Sequence, residues 1–69
     1  MDIVEKSKLL TTLIERKMRL QHTLEYMRKE AMLHQTTASF EWKYYSTAAD
    51  SVEKELAEVL KEIDRIEKE

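Results

Sequence analysis

Apolar residues recur along both halves of the chain at alternating spacings of three and four, and the two runs are out of phase with each other. Such spacing places one stripe along one side of an α-helix, which is the seam that another helix covers. The first run comprises Ile3, Leu10, Leu13, Leu20, Leu24, Met27, Ala31 and His34, with Lys6 and Lys17 at two further places. The second run comprises Ala38, Trp42, Tyr45, Ala49, Val52, Leu56, Val59, Ile63 and Ile66. The pattern predicts helix packed against helix.

Composition narrows the fold class to all-α. The 69 residues include no Gly, Pro or Cys, which removes the usual turn residues of sheets, the usual helix breakers and any disulfide. A chain of this length buries only a thin core, so we expect a protein partner or self-association. Apolar runs of three residues at most predict no membrane span, and the acidic first residues do not resemble a signal peptide. We therefore expect a cytoplasmic protein.

The two stripes meet at a discontinuity around Ala38, inside the weakest helix-forming segment of the chain, residues 35–41. If the chain folds back there, seam residues whose numbers sum to 76 face each other. The prediction is an antiparallel, coiled-coil-like hairpin with a first helix at about 2–34, a turn at about 35–41 and a second helix at about 41–68. Its predicted core is Leu10, Leu13, Leu20, Leu24, Met27, Ala31, Trp42, Tyr45, Ala49, Val52, Leu56, Val59 and Ile63.

Two alternatives to this topology stay open. One continuous helix could form a parallel dimer and absorb the discontinuity by local unwinding. A further break could lie at Ser46–Asp50, where Asp50 and Glu53 have the spacing of a capping box; the preferred interpretation keeps both on the surface of one helix. Two hairpins could also pair into a four-helix bundle.

Charge is distributed unevenly along the chain. Residues 1–34 carry a net +2 and residues 35–69 a net −4, so the two helices attract each other weakly. The basic residues Arg16, Lys17, Arg19, Arg28 and Lys29 are interrupted by acids, which disfavours a nucleic-acid footprint. A homodimeric four-helix-bundle regulator that binds RNA or a regulatory protein is the alternative function.

Catalytic and metal-binding patterns are missing from the sequence. Without glycine there is no phosphate-cradling loop, and the two histidines, His22 and His34, lie on one helix without the Glu-x-x-His pairs of a bundle metal site. We expect no catalytic residues, no metal and no cofactor, and we expect His34 to pack between the helices. The predicted function is therefore an interaction, not a reaction.

More apolar surface is present than one seam uses. Ile14, Met18 and Met32 widen the first stripe, Ala57 and Leu60 widen the second, and Tyr26, Leu33, Phe40 and Tyr44 lie off both stripes. Such a surplus indicates a surface that another protein covers. The predicted partner-binding residues are Ile14, Met18, Leu60, Phe40 and Tyr44.

Residues 18–63 resemble a known family. Leu20, Leu24, Met27, Arg28-Lys29-Glu30 and Met32, followed after a connector by Trp42, Ser46, Ala48 and Asp50, are similar to the small helical-hairpin co-chaperones of bacterial type III secretion (the YscE/PscE/EscE type). The resemblance implies a stabilising partner of a tetratricopeptide-like chaperone. Together, such a pair keeps the secretion needle subunit monomeric in the cytoplasm. It implies no activity beyond the burial of helix faces.

Overall fold

The computed structural model describes residues 2–34 and 39–69 and shows two long helices packed side by side. Helix α1 spans Ile3–His34 and helix α2 spans Ser39–Lys68. The molecule measures 53 × 14 × 12 Å, close to the ~48 Å length of a 32-residue helix. The predicted all-α hairpin is confirmed, and the single continuous helix is excluded by the packing of α1 on α2.

The helix boundaries differ from the prediction at one end. Helix α2 begins at Ser39 rather than at about residue 41. Residues 35–38 of the predicted turn, including Ala38 of the second stripe, lie outside the described residues. Helix α2 continues through Ser46–Asp50 without a break, so Asp50 and Glu53 are exposed residues within it.

Local hydrogen bonds occur at the start of α1 and at the end of α2. Asp2 precedes α1, and its carbonyl accepts a hydrogen bond from the Lys6 N–H at 2.9 Å; aspartate is a preferred residue at this boundary. In the last turns of α2, Arg65 donates hydrogen bonds to the carboxylate of Glu62. These bonds hold the pKa of Glu62 below its ordinary value, because they favour the ionised form.

Two ion pairs between the helices fix the register. The Arg28 guanidinium lies 2.8 Å from Glu53, and the Arg16 guanidinium lies 3.6 Å from Glu55. The residue numbers sum to 81 in the first pair and to 71 in the second. The mean of these sums is 76, which is the sum predicted for facing seam residues. Both pairs are about half exposed. They therefore contribute at most about 1 kcal/mol each to the stability of the hairpin, and their main use is to show how the two helices are aligned.

Burial of the core is uneven along the seam. Among the residues that the structure describes, five apolar side chains are buried, and these are Ala31, Ala49, Val59, Ile63 and Ile66. The remaining seam residues are half-buried, which includes Leu10, Leu13, Leu20, Leu24, Met27, Tyr45, Val52 and Leu56. A two-helix pair covers each seam residue from one direction only, so most of its core stays partly accessible.

Two residues of the predicted stripes are exposed instead. Trp42 was expected in the core opposite His34 but is 42% exposed, because Tyr45 takes the place against His34 and α1 ends at that residue. Ile3 is 82% exposed. In this register Lys68, the last residue of α2, lies level with Lys8 of α1, so Ile3 lies past the part of α1 that α2 covers.

Candidate protein-interaction surfaces

The two ion pairs define two sides of the hairpin. Arg28 and Glu53 each directly follow a seam residue, whereas Arg16 and Glu55 each directly precede one. In an antiparallel heptad pair, residues that follow the seam lie on one side of both helices, and residues that precede it lie on the other. We call these the Arg28 side and the Arg16 side.

One apolar surface lies on the Arg28 side, in the half of the hairpin away from the turn. Ile14, Met18, Ala57 and Leu60 each follow a seam residue, and in this register they lie at the same level of the two helices. Ile14 is 40%, Met18 52% and Leu60 45% exposed. We call these four residues the central flank. Three large apolar side chains at one level are more than the scattered exposure of an ordinary surface.

A cluster of rings lies near the turn. Tyr45 is its centre: His34 stacks on it with centroids 5.8 Å apart and planes 8° from parallel. Tyr26 and Tyr44 each meet it edge-on, at 6.5 Å and 5.3 Å. Edge-to-face and stacked pairs add about 0.5–1.5 kcal/mol beyond the area that they bury. The cluster therefore links the helices where seam residues Ala31 and Ala49 are small.

Burial and neighbouring charge change the acidity of the central ring. The pKa of Tyr45 is raised above 10.0, first by desolvation and then by the neighbouring Tyr26 and Glu30. Glu30 also lies 3.7 Å from the His34 ring nitrogen Nε2. Desolvation and the negative charge of Glu30 both disfavour the phenolate, so Tyr45 stays neutral over the physiological range.

A shallow groove of about 430 Å³ runs along the outer face of α2 beside this cluster, lined by Phe40, Lys43, Tyr44, Thr47, Ala48 and Ser51. We call this groove, on the Arg16 side and outer face, the turn-end groove. Phe40 is 77% exposed and, with Tyr44, forms the aromatic part of the lining. Thr47, Ala48 and Ser51 are small, and close approach of another backbone needs small residues. Lys43 is the one charged residue among these lining side chains.

The five predicted partner-binding residues thus fall on two surfaces. Ile14, Met18 and Leu60 lie in the central flank, and Phe40 and Tyr44 lie in the turn-end groove. Sequence reasoning missed Lys43, Thr47, Ala48 and Ser51 as lining residues. Positions 40, 44, 47 and 51 have spacings of four, three and four without a charge, which is a second stripe that periodicity alone could have found.

The described residues also bear on nucleic-acid, metal and membrane binding. Arg16 and Arg28, two of the basic residues of the nucleic-acid alternative, lie against glutamates of α2. Within residues 2–34 and 39–69, no group of three or more His, Cys, Asp or Glu could hold a metal ion. Neither of the described helices is long and apolar enough to cross a membrane.

Comparison of the chain with protein-family models, with curated proteins and with solved structures finds no match.

Proposed function

We propose that this chain is a non-catalytic interaction protein that binds an amphipathic helix of another protein through the turn-end groove. The observation that carries the proposal is the groove itself. Exposed Phe40 and Tyr44 stand beside a path of small residues on the outer face of a helix that is already packed on its opposite face. Helix-in-groove binding requires apolar anchors and room for a second backbone.

The ring cluster makes Tyr44 a suitable anchor. Its edge-on contact with Tyr45 at 5.3 Å limits the orientations of the Tyr44 side chain before any partner arrives. An anchor that is already ordered loses less conformational entropy on binding, and exposed aromatic residues are the side chains most often found at interface hot spots. Lys43 at the groove edge favours a partner helix that carries a carboxylate beside its apolar stripe.

The resemblance of residues 18–63 gives this partner a class. The turn-end groove falls within that stretch, as do Trp42, Ser46, Ala48 and Asp50, on which the resemblance partly rests. We propose a type III secretion co-chaperone, whose partner is a tetratricopeptide-like chaperone and whose client is the needle subunit, held monomeric in the cytoplasm. The chaperone that covers a needle-subunit helix must itself be stabilised. This hairpin would stabilise the chaperone by packing a helix face against it.

The test is capture of partners from the native host, read by mass spectrometry, followed by reconstitution with the purified chaperone candidate. The double variant Phe40→Ser/Tyr44→Glu is expected to keep its helical circular dichroism, because both residues face outward, and to lose the chaperone. Placing an unpaired carboxylate in a closed apolar interface costs several kcal/mol. The matched control is Val4→Glu, which adds the same charge at an exposed apolar residue at the far end of α1. Undiminished capture by the double variant refutes the proposed docking site.

A further inference from the structure

The isolated hairpin exposes more surface than a chain of its mass usually does. Its accessible surface is 5533 Å², whereas a compact monomer of 8.3 kDa exposes about 4,600 Å². The difference, roughly 950 Å², is close to the ~800 Å² that each partner buries in a standard interface. The hairpin therefore has about one interface more surface than a folded monomer of this size.

The central flank shows where that interface lies. Its three large side chains, Ile14, Met18 and Leu60, are each about half exposed. They lie on the Arg28 side, next to the buried seam residues Val59 and Ile63. A body packed on this flank covers all three side chains.

We infer that the occupant is a second copy of this chain, and that two hairpins pair through their central flanks into a four-helix bundle. The flank is apolar and offers no charge or buried polar group that selects a different protein, so it suits an identical apolar face. In a two-fold interface the same patch occurs on both subunits, and self-complementarity is the only requirement.

Charge selects the arrangement of the two copies. Helix α1 carries seven Lys/Arg and four Asp/Glu, a net +3, and α2 carries five and eight, a net −3. A two-fold axis parallel to the helices places each α1 between its own α2 and the α2 of the second copy. All neighbouring helices are then antiparallel and opposite in charge, which favours both the macrodipoles and the side chains. An axis across the helices instead sets α1 on α1 and α2 on α2, with like charges facing.

The favoured arrangement also matches side-chain sizes. With the axis parallel to the helices, each residue keeps its level along the bundle. Ile14 then meets Leu60 of the second copy, and Met18 meets Ala57 of the second copy, a large side chain against a small one. The turn-end groove lies on the Arg16 side and outer face, so this dimer leaves it open for the partner proposed above.

The test is sedimentation equilibrium of the purified chain over a range of concentrations. We expect a mass of twice 8.3 kDa and a thermal midpoint that rises with chain concentration, as for any fold completed by association. Ile14→Glu/Leu60→Glu is expected to halve the mass. Phe40→Ser/Tyr44→Glu is the control that alters the other surface and is expected to stay dimeric. A wild-type mass of 8.3 kDa at every concentration, or an undiminished dimer of the flank variant, overturns the inference.

Crosslinking tests the arrangement even if the charged flank variant fails to fold. The chain has no cysteine, so Met18→Cys and Ala57→Cys each introduce a unique thiol. When the two variant chains are mixed and oxidised, we expect a disulfide between them, and neither variant alone is expected to form one. Disulfides of each variant with itself would show like helices in contact and would overturn the charge argument. The loss of partner capture and the loss of the dimer are caused by different variants, so the failure of one proposal is distinguishable from the failure of the other.

Discussion

Two isoleucines on the same sequence stripe lie in opposite environments, and the same substitution at each tests the packing. Ile66 is 1% exposed and Ile3 is 82% exposed. Replacing Ile66 by Ala removes three buried carbons, worth about 0.8 kcal/mol each, and leaves a cavity that adds to the loss. Ile66 also borders a surface groove of about 250 Å³ with Leu9 and Leu13, which lets neighbouring side chains relax inward. We therefore expect about 2.5–3.5 kcal/mol, in the lower half of the range for such substitutions.

The assay is urea unfolding followed by circular dichroism, with all proteins at one concentration. Ile3→Ala makes the identical chemical change at an exposed residue in the first turn of α1. We expect Ile3→Ala to change the free energy of unfolding by less than about 0.5 kcal/mol. Since a 69-residue domain has roughly 3–10 kcal/mol in total, Ile66→Ala removes a large share. Equal effects at the two positions would refute the assigned register at the open end.

Three further outcomes follow from the turn end and the ion pairs. Trp42→Ala is expected to lower the free energy of unfolding in urea by about 1–2 kcal/mol. The same substitution at a fully buried Trp costs about 3–5 kcal/mol, and Trp42 is 42% exposed. A loss of about 4 kcal/mol or more would place Trp42 in a core. Ultraviolet titration should include a tyrosine ionisation step above pH 10.0, and Tyr45→Phe should remove that step. Because the pKa of Tyr45 is raised in the folded state, Tyr45 stabilises the fold below pH 10, and this contribution is lost as the pH rises through the folded-state pKa. If Tyr44→Phe removed the ionisation step above pH 10.0 instead, the assignment of that step to Tyr45 would be contradicted. A double-mutant cycle of Arg28→Ala and Glu53→Ala should give a coupling of about 0.2–1 kcal/mol that shrinks with salt, and no coupling at low salt would mean that the pair is not formed.

Periodicity predicted the hairpin because both helices repeat the seam strictly and the register is fixed by matching one stripe to the other. The sequence carries that information in the matched spacings of the two stripes, which bring residues such as Leu24 and Val52 opposite each other when the chain folds back. It could not predict Ile3 and Trp42 correctly, since burial there depends on whether the facing helix extends far enough, which spacing does not encode. Spacing also does not determine which ring of α2 packs on His34 near the end of α1, and in the structure it is Tyr45 and not Trp42.

The candidate surfaces were predicted in part. Apolar residues beyond the seam indicate that some surface is covered, and this identified Ile14, Met18, Leu60, Phe40 and Tyr44. Their division between two opposite sides needs the three-dimensional register, which the Arg16–Glu55 and Arg28–Glu53 pairs supply. Small groove residues such as Thr47 and Ser51 carry no hydrophobic signal of their own.

Antiparallel pairing in one register is the claim on which both proposed surfaces depend, and disulfide formation within one chain tests it most directly. Leu24 and Val52 lie at the same level of the seam, so Leu24→Cys/Val52→Cys should oxidise within a single chain at low concentration. The control is Leu24→Cys/Val59→Cys, whose positions are offset by seven residues, or about 10 Å along the helix axis. The hairpin predicts a crosslinked monomer for the first variant and none for the control. Crosslinked dimers alone, or equal reaction of both variants, would contradict the register and with it the assignment of the two surfaces to opposite sides.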